Sequence, residues 1–137
     1  MSRLAPWLIA ACALPPAPAA AGCADALKTS NALIAERDGV RVVFVARPSP
    51  PPVGEHFSID FVVCVNDVVR GDARAQVDAD MPAHRHGMNY RASVAPLPGS
   101  GYRAEGLMFH MPGRWRLLFD VALDGRTLRL AREIDVQ

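Results

Sequence analysis

The sequence has no cluster of basic residues, no glycine-rich phosphate loop and no serine placed as a nucleophile beside its histidines. These absences argue in turn against a nucleic-acid face, a nucleotide site and a serine-type hydrolase. No enzyme is expected. Beyond residue 21 no apolar segment reaches the roughly 20 residues that cross a bilayer, so the mature chain is not expected to span a membrane. No internal repeat, low-complexity tail or long amphipathic helix is present. At 137 residues the chain is one domain at most.

The N-terminus reads as a secretory signal peptide over residues 1 to 21. Arg3 is the only charge before Asp25, Leu4 to Leu14 is almost wholly apolar, and the small-residue run Ala17 to Gly22 follows. Prolines 15, 16 and 18 would break a helix there. What remains, residues 22 to 137, is about 115 residues, enough for one modest core. Losing Arg3 from 15 basic residues leaves 14 against 14 acidic ones, a net charge near zero. The expected location is periplasmic or secreted.

Cysteine is scarce. Cys12 leaves with the signal, and Cys23 and Cys64 remain as a pair in a chain bound for an oxidising compartment. That reads as a disulfide. A rival stays open, because Ala20-Ala21-Gly22-Cys23 loosely resembles a lipoprotein cleavage site. A lipid anchor on Cys23 would leave Cys64 a free thiol. Strand parity favours the disulfide. Phe57, Ile59, Phe61, Val63 and Val65 share one face of a strand over His56 to Val65. Cys64 points the other way, free to meet Cys23.

Other strands are expected over Val40 to Arg47, Ala73 to Asp78, Tyr90 to Ala95, Tyr102 to Phe109, Arg114 to Leu123 and Arg126 to Val136. The clearest alternation is Trp115, Leu117, Phe119, Val121 and Leu123, with Arg116 and Asp120 on the opposite face. Asp124-Gly125 is a hairpin turn, and Pro48 to Pro52 is a rigid connector. Asp25 to Ala35 reads equally as a short helical turn or a loop. The fold class is all-β, an antiparallel two-sheet sandwich of immunoglobulin-like type with about seven strands.

Against this ordinary background, methionine and histidine are unevenly placed. Apart from Met1, every one of the five methionines lies in Met81-Pro82-Ala83-His84-Arg85-His86-Gly87-Met88 or in Met108-Phe109-His110-Met111, as do three of the four histidines. Only His56 is elsewhere, at a strand entrance, and it reads as ordinary. Thioethers suit copper(I), and imidazole suits copper in either oxidation state. With no thiolate or clustered carboxylate in the set, zinc fits less well. In an extended segment His84 and His86 share a face, as do Met108 and His110. Met81, His84, His86, Met88, Met108, His110 and Met111 are therefore the expected copper ligands, more than one ion needs. Asp78, Asp80 and Glu105 are the candidates to orient the second imidazole nitrogens; the pair Asp78 and Asp80 otherwise reads as a solvated face. The plainer alternative is a non-metal interaction module whose methionines pack a loop and dock a partner protein.

Asp78 to Met88 and Gly106 to Trp115 together resemble the YtkA-like domain family, which is related to FixH-like proteins. The resemblance covers most of the chain after Pro48. It implies an exported or membrane-attached immunoglobulin-like sandwich, with many relatives in contexts of metal handling or oxidase assembly. Unlike FixH-like proteins, this chain has no retained transmembrane helix. The expected function is thus an exported copper-binding or copper-carrying protein, with a copper donor or acceptor protein as its partner.

Overall fold

A computed structural model describes residues 22–137, and the signal-peptide reading and Cys12 lie outside these described residues. The strands are β1 (Leu33–Arg37), β2 (Val40–Arg47), β3 (His56–Val65), β4 (Val68–Val69), β5 (Arg74–Met81), β6 (His86–Gly87), β7 (Ser93–Leu97), β8 (Gly101–Met108), β9 (Gly113–Leu123) and β10 (Arg126–Val136). One sheet has the order β1-β2-β3-β8-β7, with β4 paired to the end of β3, and the other has the order β10-β9-β5-β6. All strand pairs within the sheets are antiparallel. The result is an immunoglobulin-like sandwich.

Seven of these strands answer to the seven expected. The three additions, β1, β4 and β6, are five, two and two residues long. They carry too little alternation to be read locally, and in β1 only Ala35 is fully buried. Turn chemistry explains where the hairpins fall. Asp38-Gly39, Asn66-Asp67 and Asp124-Gly125 each supply two consecutive positive-φ residues, as two-residue turns that follow the twist of their strands require. Two strands differ from expectation by more than one residue at an end. β5 runs on past Asp78 to Met81, because Ala79 and Met81 continue its buried face; Pro82 then ends it. β7 begins at Ser93 rather than Tyr90, and it carries Pro96 at the sheet edge, where a missing N–H is tolerated.

The core lies between the sheets. Phe44 of β2 and Phe61 of β3 meet Phe119 of β9 with ring centres 5.0 and 5.7 Å apart. At one end Phe57 packs on Phe109 at 4.7 Å, and Phe109 on Trp115 at 4.9 Å. Tyr102 stacks on Phe61 and donates its hydroxyl to the Ala73 carbonyl at 2.8 Å, which ties the start of β8 to the entry of β5.

A second, smaller core lies on the outer face of the first sheet. Val43, Val62 and Cys64, pointing away from the main core, are covered by the N-terminal segment through Cys23, with Ala26 and Leu27 packed around them. Cys23 and Cys64 form a disulfide with Cα atoms 6.1 Å apart, and the Cys23 amide donates to Asp67 at 3.0 Å. The parity argument for Cys64 is correct in direction, although that face is as buried as the other. A short 3-10 turn, Cys23–Asp25, ends where the undecided segment Asp25 to Ala35 begins; that segment is turn and loop up to Leu33, where β1 starts.

Beside this second core, Asp60 is the one buried charged residue among the described residues, 5% exposed. Arg103 donates to both of its oxygens, at 2.6 and 2.9 Å, and Arg47 donates at 2.5 Å. Hydrogen bonds from Arg103 and then Arg47 hold the carboxyl below the usual aspartate range, against the opposing effect of burial.

Two stability predictions follow from these contacts. The disulfide closes a loop with a sequence separation of 41, so Cys23→Ser with Cys64→Ser is expected to cost about 4 kcal/mol in the loop-entropy description. Urea denaturation of the oxidised protein against the double variant measures it. Asp60→Asn is expected to destabilise by about 1–2 kcal/mol, the low part of the range for charged hydrogen bonds because both guanidiniums are partly in water. Because the folded state depresses the Asp60 pKa, its stabilisation is present above the unfolded carboxyl range and is lost as pH falls through the folded value. The difference in melting temperature between parent and Asp60→Asn should therefore be full at neutral pH and shrink below about pH 4.

Candidate functional site

The two methionine–histidine segments meet at one end of the sandwich. The first leaves β5 at Met81, makes a 3-10 turn over Pro82–His84 and reverses at Arg85, whose backbone is left-handed with φ 56°. β6 then pairs back on β5, with Met81 opposite His86 and Asp80 opposite Gly87. The segment is a tight hairpin, so the extended geometry expected for His84 and His86 is corrected. The hairpin still brings their rings together, with centres 5.7 Å apart.

The second segment is the crossing from β8 to β9, which passes from one sheet to the other. It places the His110 ring 5.0 Å from that of His86. Both imidazoles lean steeply on the indole of Trp115, His110 at 5.3 Å and His86 at 5.8 Å. His84 and His110 are exposed, His86 is half-buried and Trp115 is fully buried. Trp115 is a site residue that alternation alone reads as core. Nothing local in the sequence marks it, because its neighbours there come from two other segments.

The methionines are divided. Met81 is 2% exposed, and its methyl group lies where a side chain on Gly113 would collide, 2.4 Å from the ideal Cβ position. Gly113 has φ +130°, a conformation that favours glycine, so glycine here serves both the turn and the seat of Met81. Met111 is half-buried beside His110, and its carbonyl accepts from the Trp115 Nε1–H at 2.9 Å. Met108 stands opposite His56 in the β8–β3 ladder, and the His56 ring meets Tyr90 edge-on at 4.9 Å. Met88 donates its amide to the Ala79 carbonyl and lines a groove of about 610 Å³ with Tyr90, Gln76, Asp120 and Arg129. The structure thus brings His86 and His110 onto Trp115, with His84 beside His86 and the Met111 carbonyl on the indole N–H. Met88 and Met108 are partnered with the groove and with His56.

Among the described residues none of the expected carboxylate partners hydrogen-bonds an imidazole. Arg116 grips Asp80 with two hydrogen bonds, at 2.8 and 2.5 Å. Asp78 accepts from the Ala79 amide, and Glu105 lies opposite Ser93 in the β7–β8 ladder. The Nδ1 of His86 lies 3.4 Å from the Gly87 carbonyl oxygen.

With metal–nitrogen bonds of about 2.0–2.1 Å, two imidazoles on one ion have ring centres within roughly 6.5 Å of each other. His86 and His110 meet that condition, and so do His84 and His86. The nitrogens do not form a closed set as they stand, since among the described residues no group of three or more His, Cys, Asp or Glu side chains is arranged to hold a metal ion. A shared ion would use two imidazoles with a thioether, or would draw the exposed rings inward by rotation about their side-chain bonds.

No protein-family model matches the chain, and no curated protein matches it. Among solved structures it is similar to a DUF4426 family protein from Pseudomonas aeruginosa PAO1, with 13% sequence identity, a TM-score of 0.50, and alignment over 76% of this chain and 94% of that one. At that identity the likeness concerns the β-sandwich alone.

The division of the methionines predicts a division of energies. Met81→Ala is expected to cost about 2–5 kcal/mol, as a truncation inside a packed core. His84→Ala, at an exposed position, is expected to change stability by no more than about 0.5 kcal/mol. Chemical denaturation of the two variants separates packing from site; equal costs would place Met81 outside the core.

Proposed function

We propose that this end of the sandwich binds copper and that the protein is an exported copper carrier, passing the ion to or from a partner protein. The observation that carries the reading is the 5.0 Å separation of the His86 and His110 rings, with His84 a further 5.7 Å from His86. The sequence contacts that bring them together span two sheets. Met111, next in sequence to His110, would extend the donor set toward copper(I). Exposure of His84 and His110 leaves the ion within reach of a partner, as transfer requires. The disulfide fits an oxidising compartment, and no helix among the described residues is long and apolar enough to cross a membrane. With Cys23 bridged to Cys64, the disulfide reading is preferred to lipidation of Cys23. The two motifs that resemble the YtkA-like family fit the same role.

One observation favours a second reading, a docking module without metal. Met88 and the 42% exposed Tyr90 border the groove beside the site, and adaptable methionine next to exposed aromatic surface suits a protein partner.

Competitive titration with copper(I) and copper(II) decides between them. One equivalent of copper is expected to bind. His86→Ala with His110→Ala is expected to remove most copper(II) affinity, and Met111→Leu to weaken copper(I) selectively. Metal must displace a proton from an imidazole but not from a thioether, so acidification is expected to weaken copper(II) binding more than copper(I) binding. A parent protein that binds neither ion more tightly than a variant lacking His84, His86 and His110 would leave the docking reading in place.

A further inference from the structure

Trp115 has a position that core packing alone does not require. It is fully buried, yet its indole is the common neighbour of His86 at 5.8 Å, His110 at 5.3 Å and Phe109 at 4.9 Å. The two imidazole planes are inclined to it by 62° and 83°. Its one polar group is already used, since Nε1–H donates to the Met111 carbonyl. Indole nitrogen is a donor only and cannot ligate a metal. What Trp115 can offer an ion is therefore its π-surface.

We propose that Trp115 is part of the metal site. Its ring closes the inner side of an ion held by His86 and His110, and it biases the site toward a soft monovalent cation, copper(I). This inference rests on the copper reading and adds to it a residue and a preferred oxidation state. The geometry supports it in two ways. An ion bridging rings 5.0 Å apart, each within 6 Å of the indole centre, can lie on the indole side at the distance at which a cation is attracted to an aromatic ring. That inner side is formed by the indole and the phenyl ring of Phe109, apolar surface in place of water. A divalent ion loses more hydration than a monovalent one in such a setting, and the soft thioether compensates only the softer ion. The hydrogen bond from Nε1–H to Met111 also fixes the segment that carries His110 and the thioether relative to the ring.

The test uses the full chain with Trp7→Phe, which leaves Trp115 as the sole tryptophan, and silver(I) as a redox-inert probe for copper(I). Calorimetry counts the bound ion while near-ultraviolet absorption and indole emission are followed in the same titration. Expected are one bound silver ion, a perturbed indole absorption band and quenched emission, all saturating together. Adding Trp115→Phe is expected to weaken silver(I) and copper(I) by about 2–10-fold and to leave copper(II) affinity nearly unchanged. Binding of one silver ion with indole absorption and emission untouched would overturn the proposal while leaving the copper reading intact. Equal weakening of copper(I) and copper(II) by Trp115→Phe would also overturn it, because that is the signature of lost packing. If neither silver nor copper binds, the copper reading fails and this inference fails with it. Should Trp115→Phe not fold, as its thermal melt would show, the absorption and emission of the parent indole decide the matter alone.

Discussion

The arrangement of this protein depends on the burial of one aromatic seam between two sheets. Phe44, Phe61 and Phe119 join the sheets at the middle, and Phe57, Phe109 and Trp115 join them at the end. Apolar burial is non-directional, so the seam alone would hold the sheets together without fixing how their loops meet. Two hydrogen bonds from aromatic side chains supply that direction. Tyr102 reaches the Ala73 carbonyl across the sheets, and Trp115 reaches the Met111 carbonyl within the crossing from β8 to β9. The histidine-bearing end is therefore placed by core residues.

The outer faces are built on different terms. The second sheet presents to water a set of arginine–aspartate pairs that are direct partners in its ladders: Asp80 with Arg116, Asp120 with Arg129 and Arg114 with Asp135. Exposed pairs of this kind add little individually, but they keep both signs interspersed on a chain whose formal charge is near zero. They also remove Asp80 from the chemistry of the neighbouring hairpin. The outer face of the first sheet is largely covered instead, by the disulfide-linked N-terminal segment and by the arginine clamp on Asp60. Covering one outer face explains how both parities of β3 come to be buried.

The site inherits its character from its place at the end of the sandwich. A hairpin from one sheet and a crossing between sheets bring His86 and His110 onto a buried indole, with His84 beside His86, and leave His84 and His110 exposed. The carboxylates that would have made a hard-metal or acid–base centre are paired with arginine or lie on other faces. What is left is imidazole, thioether and aromatic surface, a soft set of donors. That donor set is the basis on which copper is proposed.

The sequence by itself determined the fold class, seven of the ten strands, the inward face of β9 and the turn at Asp124-Gly125, and it favoured the pairing of Cys23 with Cys64 that the structure shows. Each follows from local periodicity, turn stereochemistry or the count of available partners, none of which needs a distant neighbour to be known. It also marked the two methionine–histidine segments, since composition is visible without coordinates. Only the tertiary structure decided what those segments do with their side chains. Met81 faces the core because β5 continues to it and Gly113 leaves room for its methyl group. His84 and His86 meet through a left-handed turn at Arg85 that extended parity does not describe. Trp115 joins them because β9 lies between β5 and β10 and because β8 hands the chain from one sheet to the other at that end. Such neighbours are set by which strands pair across the sandwich. That depends on burying one continuous apolar face, and no short window of sequence contains it.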